Sequence, residues 1–276
     1  MPTPVLEVEH VTKTFRERGG KVFKAVDDLS LTVMEGESVG VVGESGCGKS
    51  TLARMITCLI RPNSGTIRFC GEDMGAKSGS KLRKAYQNMK MIFQEPRSSF
   101  DPRLTLGQSI QDALKSVMPG KRERDEEVKR LLHEVGLDPA FAAMYPRQVS
   151  GGECQRAAIA RAIAQKPKLL ICDEATSALD VSVQAQVLEL LNRIKEQNNI
   201  AFLFISHDLA LVSSFCSRTY VLYRGAVVEQ GETAQIIQQP AEDYTKRLLA
   251  SVLTVEGING TVNAGTDQRA VERVVG

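Results

Sequence analysis

The sequence predicts an α/β protein with a mostly parallel sheet at its core, an N-terminal antiparallel β subdomain and an inserted helical subdomain. Three observations carry this reading. Residues 5–11 and 26–33 alternate apolar and polar side chains, the period of strands that bury one face. After residue 150, short apolar runs alternate with helical patterns, the order that a parallel sheet covered by helices requires. Between about 95 and 150 the strand signals vanish and helical patterns replace them.

Taken in order, the two N-terminal strands are separated by a charged, Gly-containing loop, Arg16–Lys24. Gly36 marks a turn, and Ser38–Val42 reads as a buried strand. A Gly-rich loop then leads into a helix over Lys49–Ile60. Asn63, Ser64 and Gly65 form a turn before a strand at Thr66–Cys70. Residues 71–80 are a loop by composition, and Lys90–Phe93 is a short strand. In the helical stretch, 107–118 and 121–135 are helices, with Gly136 as a stop. The mixed charges of 121–130 belong to a solvated helix face. The alternation then resumes: helix 152–165, strand 168–172, helix 182–197, strand 200–205, helix 208–215, strand 219–223. Residues 254–276 have weak periodicity and are expected to be a loose tail.

Composition narrows the function classes. In 276 residues, 35 Lys and Arg balance 33 Asp and Glu, for a net charge of +2. Hydrophobic residues are 42% and charged residues 25%, ordinary for a globular chain. A strongly basic nucleic-acid binder is excluded, so no nucleic-acid partner is expected. Aromatic residues are 5% and Trp is absent, which leaves little for base-stacking platforms. No apolar run approaches the length of a membrane span, and the N-terminus lacks the pattern of a secretory signal. Six scattered cysteines, with no CxxC pair, read as reduced thiols without a metal cluster.

The strongest motif follows the third strand. Gly43, Glu44, Ser45, Gly46, Cys47, Gly48, Lys49 and Ser50 fit GxxxxGK[ST] at every fixed position, after a β run and before a helix. Backbone N–H groups and the helix dipole converge there on phosphates. Lys49 is the β/γ-phosphate ligand, Ser50 a Mg²⁺ ligand, and Thr51 is set to bond the α-phosphate region. The fold class is therefore a P-loop NTPase. Cys47 sits at a variable position. It is read as a small tolerated side chain, against a rival reading as a redox-sensitive thiolate.

A buried strand ends in Asp173 and Glu174, and chemistry in parallel sheets collects at such ends. Asp173 is a Mg²⁺ ligand candidate and Glu174 a general base for an attacking water. The alternative for this pair is a cap on the next helix. Ser150, Gly151, Gly152 and Glu153 precede an Ala-rich helix. They read either as a plain N-cap or as a second anion-binding helix end.

The order of these motifs resembles the ATP-binding subunits of ABC transporters over roughly residues 5–250. The P-loop at 43–50 is followed by Gln94, SGGE at 150–153, LLICDE at 169–174, SALD at 177–180 and His207 in ISHD. The resemblance implies a nucleotide-binding domain over 1–253, with its helical subdomain at about 95–150. It implies that Gln94 touches Mg²⁺ and the attacking water, that His207 contacts the γ-phosphate and that Asp180 is a dimer contact. Phe15 matches the aromatic residue that stacks on adenine, with Phe23 as a rival. Both could also be core residues, and His207 could be a capping or core histidine. Ser150, Gly151, Gly152 and Glu153 would grip ATP held by a second subunit, so the chain carries half of each of two composite sites. Glu153 replaces the family's usual Gln, and modest attenuation of that grip is expected from its charge.

Residues 95–103 and 240–249 resemble the oligopeptide, dipeptide and nickel uptake subfamily. That likeness implies a second, different ATP-binding chain, two membrane permeases and an extracytoplasmic solute-binding protein. The chain would then sit peripherally at the cytoplasmic face of the membrane. ATP and Mg²⁺ are the implied cofactors. The last cysteine is Cys216, so no iron–sulfur cluster is expected. Peptide and nickel or metallophore cargo remain open. The alternatives are a non-transport ABC-type ATPase and a regulatory subunit with an attenuated site.

Overall fold

In the computed structural model, which describes residues 4–16, 19–177 and 179–250, the chain opens with one long antiparallel hairpin. Strand β1 (Pro4–Arg16) pairs with β2 (Val22–Met34). The loop is narrower than the expected Arg16–Lys24, because pairing continues out to Arg16 opposite Val22. The side chains there are exposed on both faces, so the ribbon extends without the alternation that marks a half-buried strand. The expected tail at 254–276 lies outside the described residues.

The chain then forms β3 (Ser38–Val42) and helix α1 (Lys49–Ile56), which is shorter than expected and ends at Thr57. It returns to the first sheet as β4 (Ser64–Phe69) and β5 (Glu72–Asp73), giving the order β2-β1-β4-β5. Residues 71–80 therefore hold a short strand. They also hold the start of α2 (Gly79–Asn88), a helix the sequence pattern hides because it buries only Ala85. Next comes β6 (Met89–Ile92).

The helical segment contains α3 (Leu106–Leu114) and α4 (Lys121–Glu134). On α4, Arg130 bridges Glu127 and Glu134 along the solvent face, while Val128, Leu131 and Leu132 are buried. The mixed charges are a solvated face, as expected. Helix α5 (Gly151–Ile163) brings the chain back to the main sheet. There β7 (Leu169–Asp173), α6 (Val181–Asn198), β8 (Ala201–Ser206), α7 (Leu209–Phe215) and β9 (Arg218–Tyr223) follow the predicted alternation. Two further elements were not readable in advance, β10 (Ala226–Glu232) and α8 (Thr233–Gln238), and the stretch at 240–249 that resembles a subfamily helix is helical as α9 (243–250). The first is a half-exposed edge strand with no clean alternation.

The second sheet has the order β10-β9-β3-β8-β7-β6, parallel except for the β10 edge. Its inner strands are buried on both faces, which is why they read as continuous apolar runs. One side packs under α5, α6 and the helical segment through Phe202, Phe204 and Leu170. The other packs against the antiparallel sheet through Val39, Val41, Leu203 and Ile205. The C-terminal ends of β3, β7 and β8 lie side by side, since Val42 pairs with Ser206 and Asp173 with Ile205. Among the described residues, no helix is long and apolar enough to cross a membrane.

A polar tie joins the two sheets. Arg218 of β9 donates to the Glu37 carboxylate at 2.8 and 3.0 Å and to the Thr32 carbonyl of β2 at 2.9 Å. Glu37 also accepts the Met34 N–H at 2.8 Å. Burial would push the Glu37 carboxyl up, but the Arg218 guanidinium and the Met34 amide together hold it below its ordinary value. A lowered carboxyl pKa adds stability that is present above the unfolded value and is lost as pH falls through the folded one. We expect Glu37→Gln to cost about 2 kcal/mol at neutral pH, the scale of hydrogen bonds to a charged group. Urea unfolding should show that difference shrinking as the pH is taken down through the carboxylate range.

Candidate functional site

The loop from Gly43 to Ser50 leaves β3 at the edge where β7 and β8 also end. Two of its glycines are required by geometry. Gly48 has φ +112° as the N-cap of α1, and a Cβ there would lie 2.2 Å from the Ala25 carbonyl oxygen. Gly43 has φ +156°, and a Cβ there would lie 2.3 Å from the Leu222 carbonyl oxygen. Neither position tolerates a side chain. Glu44, Ser45 and Gly46 form the exposed crest, and Thr51 is partly buried.

Lys49 is 4% exposed, although it carries a charge. Its ammonium donates to the carbonyl oxygens of Gly43 at 2.6 Å and Glu44 at 2.9 Å. A buried cation is tolerated only when bonded in this way. The cation is thus held against the loop crest beside the N-terminus of α1, where backbone N–H groups and the helix dipole favour an anion. Cys47 is buried, and burial pushes its thiol up despite the nearby Lys49 ammonium. That environment favours the neutral thiol and disfavours the redox-sensitive reading.

Asp173 ends β7 and accepts a hydrogen bond from the Ser50 hydroxyl at 3.2 Å. Burial raises its carboxyl above the ordinary value, outweighing the Ser50 bond and the nearby Lys49 and Arg54 charges. A desolvated carboxylate beside a hydroxyl is a donor set that suits a hard divalent cation, which would offset the buried charge.

Glu174 has φ +49°, a conformation that costs a non-glycine residue energy and that marks functional positions. Its N–H donates to the Ile205 carbonyl at 2.9 Å, and its carbonyl accepts from the Ser177 amide and hydroxyl. Its carboxylate lies 3.6 Å from Nδ1 of His207, at the end of β8. Neither acidic residue caps a helix. Asp180 caps α6 by accepting the Val183 N–H at 3.0 Å and the Ser182 hydroxyl at 2.7 Å. His207 is exposed, and Asp208 caps α7. The capping or core reading of His207 therefore does not hold.

Gln94 is exposed two residues past the end of β6, next to β7 in the sheet. Phe15 and Phe23 are 37% and 43% exposed and stack on each other with centroids 5.8 Å apart. Neither is a core residue. They form one exposed aromatic step next to the loop that closes the hairpin, so the choice between them loses its force.

Ser150 caps α5 in a reciprocal box. Its hydroxyl accepts from the Glu153 N–H at 3.3 Å, and the Glu153 carboxylate accepts from the Ser150 N–H at 2.7 Å. That backbone bond holds the Glu153 carboxyl below its ordinary value. The charge expected to weaken an anion grip is thus engaged by its own helix end. Two features that sequence reasoning missed tie the loop after Gln94 to α5, one at the entry of the helix and one in its last turn. Arg97 donates to the Val149 carbonyl at 2.6 Å, and Arg161 donates to the Ser99 carbonyl and hydroxyl at 2.7 and 2.8 Å. Side-chain bonds to distant carbonyls leave no spacing pattern to read.

With this geometry in view, three comparisons bear on the chain. The ABC transporter family profile matches residues 26–177. The oligopeptide transport ATP-binding protein AppF of Bacillus subtilis is 44% identical over 256 residues, covering 90% of this chain and 78% of that protein. OppF of Salmonella typhimurium is 43% identical over 234 residues, covering 84% and 70%. Among solved structures, the dimeric post-hydrolysis state of the ATP-binding cassette MJ0796 bound to ADP and Pi superposes with a TM-score of 0.74 at 29% identity, covering 83% of this chain and 98% of that one.

The two glycines of the α5 entry differ in what demands them. A Cβ on Gly152 would fall 2.7 Å from Cγ1 of Val183, a β-branched side chain that is stiff in a helix, whereas one on Gly151 meets only Leu179 at an ordinary 3.7 Å. Gly152→Ala should therefore lower Tm by several degrees, corresponding to roughly 1–3 kcal/mol of overpacking. Val183→Ala should restore it in the double variant. Gly151→Ala should leave Tm unchanged, as differential scanning calorimetry would register.

Proposed function

The chain belongs to the ABC transporter family, and from that premise we propose that it is the ATP-hydrolysing subunit of an importer for peptides. One observation carries the catalytic part of this reading. The phosphate loop, Asp173, Glu174 and His207 emerge at one edge of the sheet, with the Glu174 carboxylate 3.6 Å from His207. The oligopeptide-transport relatives support the cargo class, and of peptide and nickel they favour peptide.

In this reading the amides from Ser45 to Thr51 and the Lys49 ammonium bind the phosphates, Gly43 and Glu44 set the entry of the loop, and Phe15 with Phe23 offers the adenine a stacking face. Ser50, Asp173 and Gln94 would hold Mg²⁺, which when bound would supply positive charge to offset that of the phosphates. Glu174 takes a proton from the attacking water, and His207 orients the γ-phosphate against it. The strained backbone at Glu174 aims its carboxylate toward His207 rather than back along β7. Charge stabilisation and positioning supply most of the rate in such transfers, and few covalent steps fall to the protein.

Ser150, Gly151 and Gly152 complete the site of the second ATP-binding subunit across a two-chain sandwich, with Asp180 at the contact. Two findings support this. The structural relative is a dimer. Gly151 also lacks a side chain although the fold leaves room for one. The second chain is a different ATP-binding subunit. The pair docks on two membrane permeases at the cytoplasmic face, and a solute-binding protein delivers the peptide on the other side. The domain spans 1–253, with the helical segment at about 95–150 as the arm that meets the permeases.

Glu174→Gln should lower the ATPase rate of the assembled transporter by about a hundredfold or more, the scale of general-base loss. It should also hold the two ATP-binding chains together when ATP is added, as seen by light scattering. Wild-type turnover in this variant would remove Glu174 from the role of base. Lys49→Ala should instead abolish nucleotide binding.

A further inference from the structure

Tyr244 stands about 200 residues from the phosphate loop in sequence, yet its hydroxyl accepts a hydrogen bond from the Glu44 N–H at 3.0 Å. Glu44 follows Gly43 directly and is the residue where the loop turns away from β3. Tyr244 is only 6% exposed and is held from two sides. Its ring packs on Tyr223, at the end of β9, with centroids 4.3 Å apart. The segment leading into α9 is anchored to β10, where the Glu229 carboxylate accepts the N–H groups of Ala241 at 2.8 Å and Glu242 at 3.2 Å. Strand β9 also supplies the Leu222 carbonyl that walls in Gly43, and the Gly225 N–H after it donates to the Cys47 carbonyl at 2.9 Å. The β9–β10 hairpin and α9 thus form a backstop that touches the loop at Gly43, Glu44 and Cys47.

We propose that Tyr244 is a positioning residue for ATP: its hydroxyl fixes the Glu44 amide and holds the entry of the phosphate loop in its binding shape, so that the C-terminal helix sets nucleotide affinity. The proposal rests on the reading of that loop as the ATP site. The physical argument concerns preorganisation. A loop whose amides are already fixed loses less freedom when phosphate oxygens arrive, so each tether that holds it raises affinity without touching the ligand. Removing the hydroxyl frees one amide of the loop and leaves the ring stack on Tyr223 intact. A residue serving only to dock α9 would change stability and leave affinity alone.

The test uses the full chain and the Tyr244→Phe variant, with Mg·ATP as the probe in isothermal titration. Hydrogen exchange is followed on the peptide spanning residues 43–50, and ATPase kinetics are measured in the assembled transporter. The expected result is a Kd and a KM raised about three- to tenfold, the worth of one hydrogen bond. The kcat should stay within about twofold on the same basis, and exchange at 43–50 should be faster. An unchanged Kd, with or without a lower Tm, overturns the proposal. If Tyr244→Phe does not fold, Glu229→Ala, which loosens the anchor of α9, decides the matter by the same rise or constancy of Kd. A wild-type chain that binds no ATP would instead overturn the reading of the loop itself.

Discussion

The buried ammonium of Lys49 is the constraint around which the rest of the site is arranged. A charge only 4% exposed needs partners, and it takes them from the carbonyls of Gly43 and Glu44. Those carbonyls face the cation only because the backbone at Gly43 and Gly48 adopts conformations that a side chain would forbid. The same turn aims the following N–H groups outward, at the start of α1. One cation therefore decides which way the loop's acceptors and donors face, and the anion-binding property follows from that division.

The parallel sheet provides the second level of organisation. Its strands end together, so residues far apart in the chain meet without any loop reaching across. Ser50 meets Asp173, and Glu174 approaches His207, because β3, β7 and β8 are in register. Burial of those strands makes the edge rigid, and rigidity lets Glu174 keep a left-handed backbone conformation. The strain is held by the Ile205 carbonyl on one side and Ser177 on the other. Stability and chemistry draw here on the same register, so a packing change under β7 would displace the carboxylate as well as weaken the core.

What the sequence makes legible follows from how local each constraint is. The phosphate loop is readable because its donors, its cation and its turn residues occupy one contiguous stretch. Asp173 and Glu174 are readable because a buried strand ending in two carboxylates needs a reason. The inner strands are readable because burial on both faces leaves continuous apolar runs. Constraints between distant segments leave no such trace. Phe15 and Phe23 look like alternatives in the chain and turn out to be cross-strand partners, a fact that depends on hairpin register. Glu153 looks like a misplaced charge until its carboxylate is seen capping its own helix. The contact of Tyr244 with Glu44 depends on α9 crossing the β9–β10 hairpin, two elements of which one is a half-exposed edge. Helix α2 escapes notice for a related reason, since its apolar stripe is short and only Ala85 in it is fully buried.

Arg97 and Arg161 extend the same logic to the join between the loop after Gln94 and α5. Arg97 lies three residues beyond Gln94 and holds the carbonyl of Val149, the residue before Ser150. Arg161 lies on α5 and holds Ser99, with its guanidinium 4.1 Å from the Phe100 ring centroid. The loop after Gln94 is thereby tied to α5 at both of its ends, to Val149 before its first turn and to Arg161 in its last, by charged donors on backbone carbonyls, the stronger class of hydrogen bond. Val149 leads directly into the capping box, in which Ser150 and Glu153 are bonded to each other. Helix α5 in turn packs against α3 and α4 in the same core, so the loop after Gln94, the α5 entry and the helical segment are joined by one continuous set of contacts.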